Sequence, residues 1–239
     1  MTRIHRFADL ETLSRAAARA LVEDMQSRLA VQDRYTLALA GGSTPQRLYE
    51  LLAAEAAGPL PWERLHLFWG DERYVPPSDE RSNYHRVRRS LLAAVDLPPE
   101  NVHPIPTDKA SPERAAAAYK NTLRRSFSDQ ETTFDTVLLG LGSDGHTASL
   151  FPETPNLGQT ADWVRVVEAP PRHEVSPRIT CTLPVLNGAR RVLVLVAGAH
   201  KRDALRAVLD NRDPACPGTH LAPRTRTDWY VDHAARPTA

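Results

Sequence analysis

Apolar and polar residues alternate along this chain in two textures. Over residues 11–29, Leu13, Ala17, Leu21 and Met25 recur on one face at helical spacing. Residues 45–57, 83–94, 112–126 and 201–209 are predicted as further helices. The second texture is the short, continuous apolar run bounded by turn residues. Residues 35–40, 65–69, 134–139 and 191–196 read as strands buried on both faces, with 163–167, 178–183 and 227–231 as additional strands. Such strands separated by helices predict an α/β fold, Rossmann-like, with a doubly wound, mostly parallel sheet flanked by helices. Neither an internal repeat nor a long linker interrupts the pattern, so residues 1–239 read as a single domain.

Composition narrows the function classes. Hydrophobic residues make up 41% and charged residues 25% of the chain, as in a soluble globular enzyme. A net charge of +1 supplies no broad basic field, so neither nucleic acid nor a membrane surface is expected as a partner. Affinity for an anion must therefore be local. Cys181 and Cys216 have neither metal-ligand spacing nor the numbers for a disulfide framework, and read as buried thiols of a reducing cytosol. The N-terminus lacks the apolar run of a signal peptide, which predicts a cytoplasmic location. The histidines show no paired metal-ligand spacing, so neither a metal nor another cofactor is expected.

Ligands of open parallel sheets bind beyond the carboxyl ends of the strands. Four such ends carry candidate chemistry here. In Ala40-Gly41-Gly42-Ser43-Thr44-Pro45, the glycines allow a sharp turn, Ser43 or Thr44 can cap the next helix, and Pro45 suits its first turn. The segment is either an anion site of free amides and hydroxyls or a capped turn without a ligand. It lacks the Gly-Lys-Ser/Thr ending of a nucleotide P-loop. Pro45 also replaces the last glycine of G-x-S-x-G, which argues against Ser43 as a nucleophile. At the second end, Gly70-Asp71-Glu72-Arg73 is either a solvated loop or the mouth of a site, with Asp71 orienting a polar substrate and Arg73 meeting an anion. Ser82 beyond it reads as a helix cap.

The third end, Gly140-Leu-Gly142-Ser-Asp144-Gly145-His146, satisfies the G-x-G-x-x-G pattern of dinucleotide sites, and Glu168 imitates the acid expected after the next strand. Only six residues separate Gly145 from Pro152, too few for the helix that pattern needs, and Asp144 would repel a pyrophosphate. The competing reading is a turn that presents His146, with Asp144 orienting its ring. Imidazole titrates nearest neutrality of all side chains and is the natural general base. The fourth end, Gly198-Ala-His-Lys201, puts a lysine where a helix dipole disfavours it unless an anion is bound. With Arg178 and the Ser43–Thr44 loop, Lys201 can clamp a phosphate.

Ala40-Gly-Gly-Ser-Thr-Pro, Trp69-Gly-Asp-Glu-Arg-Tyr-Val, Gly140-Leu-Gly-Ser-Asp-Gly-His-Thr-Ala-Ser-Leu-Phe-Pro, Pro177-Arg-Ile-Thr and Gly198-Ala-His-Lys occur in this order over nearly the whole chain. Together they resemble the family of 6-phosphogluconolactonases and glucosamine-6-phosphate deaminases. The resemblance implies a metal-free carboxylic ester hydrolase. Its reaction would convert 6-phospho-D-glucono-1,5-lactone to 6-phospho-D-gluconate in the oxidative pentose phosphate pathway. It implies His146 as general base, Asp144 as its support, and a phosphate site at Gly42, Ser43, Thr44, Arg178 and Lys201. Arg73 and Asp71 are implied as further contacts. Backbone amides of the 142–145 turn are the expected oxyanion donors. Deaminases of the family carry Asn-Glu-Pro shortly after the histidine; Ser149-Leu-Phe-Pro152 here favours the lactonase. Residues 217–223 match the family only loosely. A deaminase-like isomerase, a nicotinamide-dependent oxidoreductase and a non-catalytic sugar-phosphate sensor are the alternatives. The oligomeric expectation is a monomer or weak homodimer.

Overall fold

The computed structural model describes residues 1–55, 60–127, 133–152 and 161–236. Helix α1 (Leu10–Leu29) starts where Asp9 accepts a hydrogen bond from the Thr12 amide at 2.8 Å, and Leu13, Ala17, Leu21 and Met25 are buried as their spacing predicts. Strands β2 (Tyr35–Leu39), β3 (Leu65–Trp69), β6 (Thr136–Gly140) and β9 (Arg191–Val196) form the apolar centre of the molecule. They join β10 (Arg226–Asp232), β1 (Thr2–Phe7) and β5 (Val102–His103) in a seven-stranded sheet of order β1-β10-β9-β6-β2-β3-β5. Every pairing within it is parallel.

The order reverses at the β2–β6 pair. From β2 the chain proceeds outward through β3 to β5; from β6 it proceeds the other way through β9 to β10. Loops leaving the carboxyl ends of β2 and β6 therefore diverge and open a crevice between them. Helices α2 (Ser43–Glu55), α3 (Asn83–Ser90), α4 (Pro112–Phe127) and α6 (Arg202–Leu209) complete the winding, with a short α5 (Leu183–Asn187) leading into β9.

Several expectations are corrected. Residues 164–167 and 178–181 do not enter the parallel sheet. They form β7 (Val164–Val167) and β8 (Arg178–Cys181) of a separate three-stranded antiparallel sheet with β4 (Asp71–Arg73). The segment after Gly70 is thus neither a solvated loop nor part of the main sheet: Asp71 and Glu72 are buried strand residues. No apolar run marks the edge strands β1 and β5 in the sequence, because their faces are largely exposed or only half-buried. The 83–94 helix stops at Ser90 and continues as a 3-10 turn over Leu92–Ala94, and Ala199–Lys201 is a 3-10 turn before α6. Part of the predicted 45–57 helix, residues 56–57, lies outside the described residues.

Candidate active site

The crevice at the β2–β6 reversal is a cleft of about 440 Å³. Gly42, Ser43, Thr44, Asp71, Arg73, His146, Arg178 and Lys201 all line it, so eight of the expected site residues meet although they come from five separated segments of the chain. Asp144 stands behind His146, outside the lining.

The floor is the turn after β6. Residues 141–152 form no helix; a bridge between Thr147 and Leu150 closes the chain on itself instead. The helix that a dinucleotide fingerprint requires is missing from these residues, and Glu168 directly follows β7 of the other sheet, where it accepts from Ser176 Oγ. Within the turn, His146 Nδ1 lies 2.5 Å from Asp144 Oδ1, and the His146 amide donates to the same oxygen at 3.2 Å. A proton on Nδ1, shared with the carboxylate, leaves the lone pair on Nε2. Nε2 has no hydrogen-bond partner among the described residues, on a ring that lines the cleft. Gly142 makes this geometry possible, because a Cβ there would sit 2.0 Å from His146 Nδ1. Of the expected oxyanion donors, two are engaged within the turn itself: the Gly142 amide donates to the His146 carbonyl at 2.7 Å and the Gly145 amide to the Gly142 carbonyl at 3.1 Å.

Asp144 is held by more than the sequence indicates. Its Oδ2 accepts from Arg172 Nε at 2.9 Å and from His173 Nε2 at 2.9 Å. Burial alone would raise its pKa, but the hydrogen bonds from His146, His173 and Arg172 outweigh burial and hold the carboxyl well below its usual range. Arg172 and His173 lie on the β7–β8 connection, in an ordinary polar stretch that carries no recognisable motif. Only the tertiary fold brings them to Asp144. Asp144, His146 and His173 also offer ligand atoms within 4.8 Å of one another, a set compatible with a metal ion that linear spacing could not reveal. The guanidinium already on Asp144 opposes a second cation there.

The wall opposite is cationic. Arg178 is buried, and its Nε donates to the Val175 carbonyl at 3.0 Å; its η nitrogens have no hydrogen-bond acceptor among the described residues. Burial lowers its pKa and Asp71 opposes that shift. Arg73 lies directly across the β4–β8 pair from Arg178, an opposition of like charges that costs stability unless an anion intervenes. Its Nη1 donates to the Arg81 carbonyl at 2.6 Å, while its buried Nε has no partner. Lys201 is half-buried, its pKa is pulled down by burial, and its ammonium has no partner among the described residues.

The third side is the start of α2. Gly42 turns the chain at φ 96°, and the helix begins at Ser43, so neither Ser43 nor Thr44 caps it as expected; both occupy its first turn. No acidic side chain in that turn offsets the free amides. Asp71 completes the lining: its Oδ2 accepts from Ser149 Oγ at 2.6 Å, and Asn83 Nδ2 donates to its carbonyl at 2.9 Å. Asn83 also lines the cleft, and Ser82 is the N-cap of α3 as expected. Glu72 points away from the cleft, where the amides of Asn83 and Tyr84 donate to it at 2.7 and 2.8 Å. Cys216, immediately before the loosely matching 217–223 segment, packs its Sγ under Gly145 from behind.

A family profile described as glucosamine-6-phosphate isomerases/6-phosphogluconolactonase matches residues 8–229. The chain is 43% identical over 212 residues to a 6-phosphogluconolactonase of Synechocystis, covering 87% of this chain and 85% of that protein. Among solved structures, the 6-phosphogluconolactonase of Thermotoga maritima superposes with a TM-score of 0.86 at 31% identity, over 97% of this chain and all (100%) of that one. That of Trypanosoma brucei gives 0.88 at 31% identity, over 98% and 97% of the two chains. By profile, by sequence and by fold, the chain belongs to the glucosamine-6-phosphate isomerase/6-phosphogluconolactonase family.

Proposed function

We propose that this chain hydrolyses 6-phospho-D-glucono-1,5-lactone to 6-phospho-D-gluconate, with His146 as general base. The observation that carries the reading is one cleft holding both a His146–Asp144 dyad with a free Nε2 and two cations, Arg178 and Lys201, that face no carboxylate hydrogen-bond partner among the described residues. The cations, with the α2 amides and the Ser43 and Thr44 hydroxyls, suit a dianionic phosphate. Bound there, the sugar phosphate extends its lactone carbonyl toward His146. Nε2 removes a proton from water as the water oxygen bonds to the carbonyl carbon. The imidazolium, balanced by ionised Asp144, then returns that proton to the ring oxygen as the C–O bond breaks. Asp71 serves as a polar contact and Arg73 as a cationic contact for the anion.

The test is product formation above the spontaneous hydrolysis of the lactone at neutral pH. His146→Ala should lower the enzymatic excess by about 10²–10⁴-fold while affinity for 6-phosphogluconate is retained. No excess from the wild type overturns the reading. Ammonium release from glucosamine 6-phosphate would favour the deaminase instead, although Leu150 and Phe151 follow the turn where that chemistry places a carboxylate. A cytoplasmic location fits the two free, buried cysteines. The large exposed apolar side chains among the described residues, Met1, Ile4 and Val31, fit a monomer or weak dimer.

A further inference from the structure

An Asp–His dyad held through one carboxylate oxygen is loosely built, because the carboxylate can swing about its side-chain bonds and carry the imidazole with it. Fixing the second oxygen fixes the plane of the group, and hence the direction in which the first oxygen aims. Asp144 Oδ2 is engaged from outside its own turn by two side chains of the β7–β8 connection, His173 Nε2 at 2.9 Å and Arg172 Nε at 2.9 Å. His173 does more than donate. Its ring meets His146 edge-on, with centroids 5.0 Å apart and planes at 86°, and it lies 4.8 Å from the Phe151 ring. It therefore limits both the rotation of the carboxylate and the tilt of the imidazole.

From this double contact we propose that His173 is a positioning residue of the reaction, locking the Asp144–His146 dyad into its working orientation from the neighbouring antiparallel sheet. The inference rests on the lactonase reading above. The neutral imidazole suits the task chemically. It offers one N–H to Oδ2 without placing a second full charge beside the imidazolium that forms on His146 during turnover. Burial disfavours the charged form of His173, although its hydrogen bond to Asp144 works in the opposite direction. A lysine in its place would hold the oxygen but repel the transition state. The same connection runs on to Val175, whose carbonyl accepts from Arg178 Nε at 3.0 Å. One short segment thus braces the base on one side and a cleft cation on the other.

Three variants test this. His173→Phe keeps the ring contacts and removes the donor; His173→Gln restores an N–H near the Nε2 position; His146→Ala supplies the spectral assignment. In the Phe variant, kcat should fall on the order of tenfold with KM nearly unchanged, as expected for losing one charge-assisted hydrogen bond that acts on the chemical step. The Gln variant should recover most of that loss. Independently of turnover, the low-field Nδ1–H proton resonance of His146 should persist in wild type and Gln variant and weaken or move upfield in the Phe variant. An unchanged kcat and an unchanged resonance in His173→Phe overturn the proposal. So does a loss that Gln fails to rescue and that follows a drop in melting temperature. Because the resonance does not require a substrate, it separates failure of this proposal from failure of the lactonase reading.

Discussion

At the residue scale, the glycines of the 140–145 segment have changed meaning. As a dinucleotide fingerprint, Gly140 and Gly142 would matter alike. In the fold they do not: nothing lies within 4 Å of a Cβ added at Gly140, whereas one at Gly142 would collide with His146 Nδ1 at 2.0 Å and Asp144 Oδ1 at 2.5 Å. Gly142→Ala is therefore expected to lower kcat/KM by roughly 10²-fold, the scale of a misplaced catalytic group. Gly140→Ala adds its methyl to open space at the cleft and should cost clearly less than Gly142→Ala. Steady-state kinetics and thermal melts of the two variants decide it; equal losses would contradict the geometry. The roles of His146 and Asp144 were legible because both residues sit in one short turn. Arg172 and His173 were not, since nothing in a polar loop announces a carboxylate 28 residues upstream of it in the chain.

At the element scale, reading the carboxyl ends of the strands located the cleft, because the winding of a parallel sheet is dictated by alternating helices and doubly buried strands. The second sheet was invisible. Its strands β4, β7 and β8 are each short, and antiparallel pairing across long sequence separations leaves no periodic trace. Yet that sheet sets Arg73 against Arg178 and so supplies two of the three cations of the wall. The other cation, Lys201, comes from the turn after β9. Lys201→Met should raise KM for the phosphorylated lactone at least about tenfold, the worth of a charge-assisted contact, with little effect on turnover of unphosphorylated gluconolactone. Inorganic phosphate should raise the melting temperature of the wild type more than that of the variant. Equal thermal shifts would remove Lys201 from the phosphate site.

At the scale of the whole molecule, the chemistry gathers at the carboxyl end of the sheet, and charges at the amino end serve stability. Arg191 opens β9 buried, with its Nε donating to Asp228 Oδ2 at 2.7 Å, and Arg226 and His5 reach the same carboxylate. Burial would raise the pKa of Asp228, but Arg226, Arg191 and His5 together lower it. A carboxyl depressed in this way contributes stability above its ordinary value of 3.8 and loses it as pH falls through the lower folded value. Asp228→Asn leaves Arg191 buried without its counter-ion and should cost about 3 kcal/mol at pH 7. Activity per folded molecule should be retained. Urea midpoints measured across pH should show the gap constant at neutrality and narrowing below pH 3.8; a gap independent of pH would exclude the ion pair as its origin. The sequence by itself determined the parallel core and the turn that pairs Asp144 with His146, because apolar periodicity and short-range turn chemistry are local properties. Only the tertiary structure decided which way the strands order, that Arg73 faces Arg178, and that His173 reaches Asp144. Those contacts join residues far apart in the chain, and their energy depends on which groups the fold removes from water together.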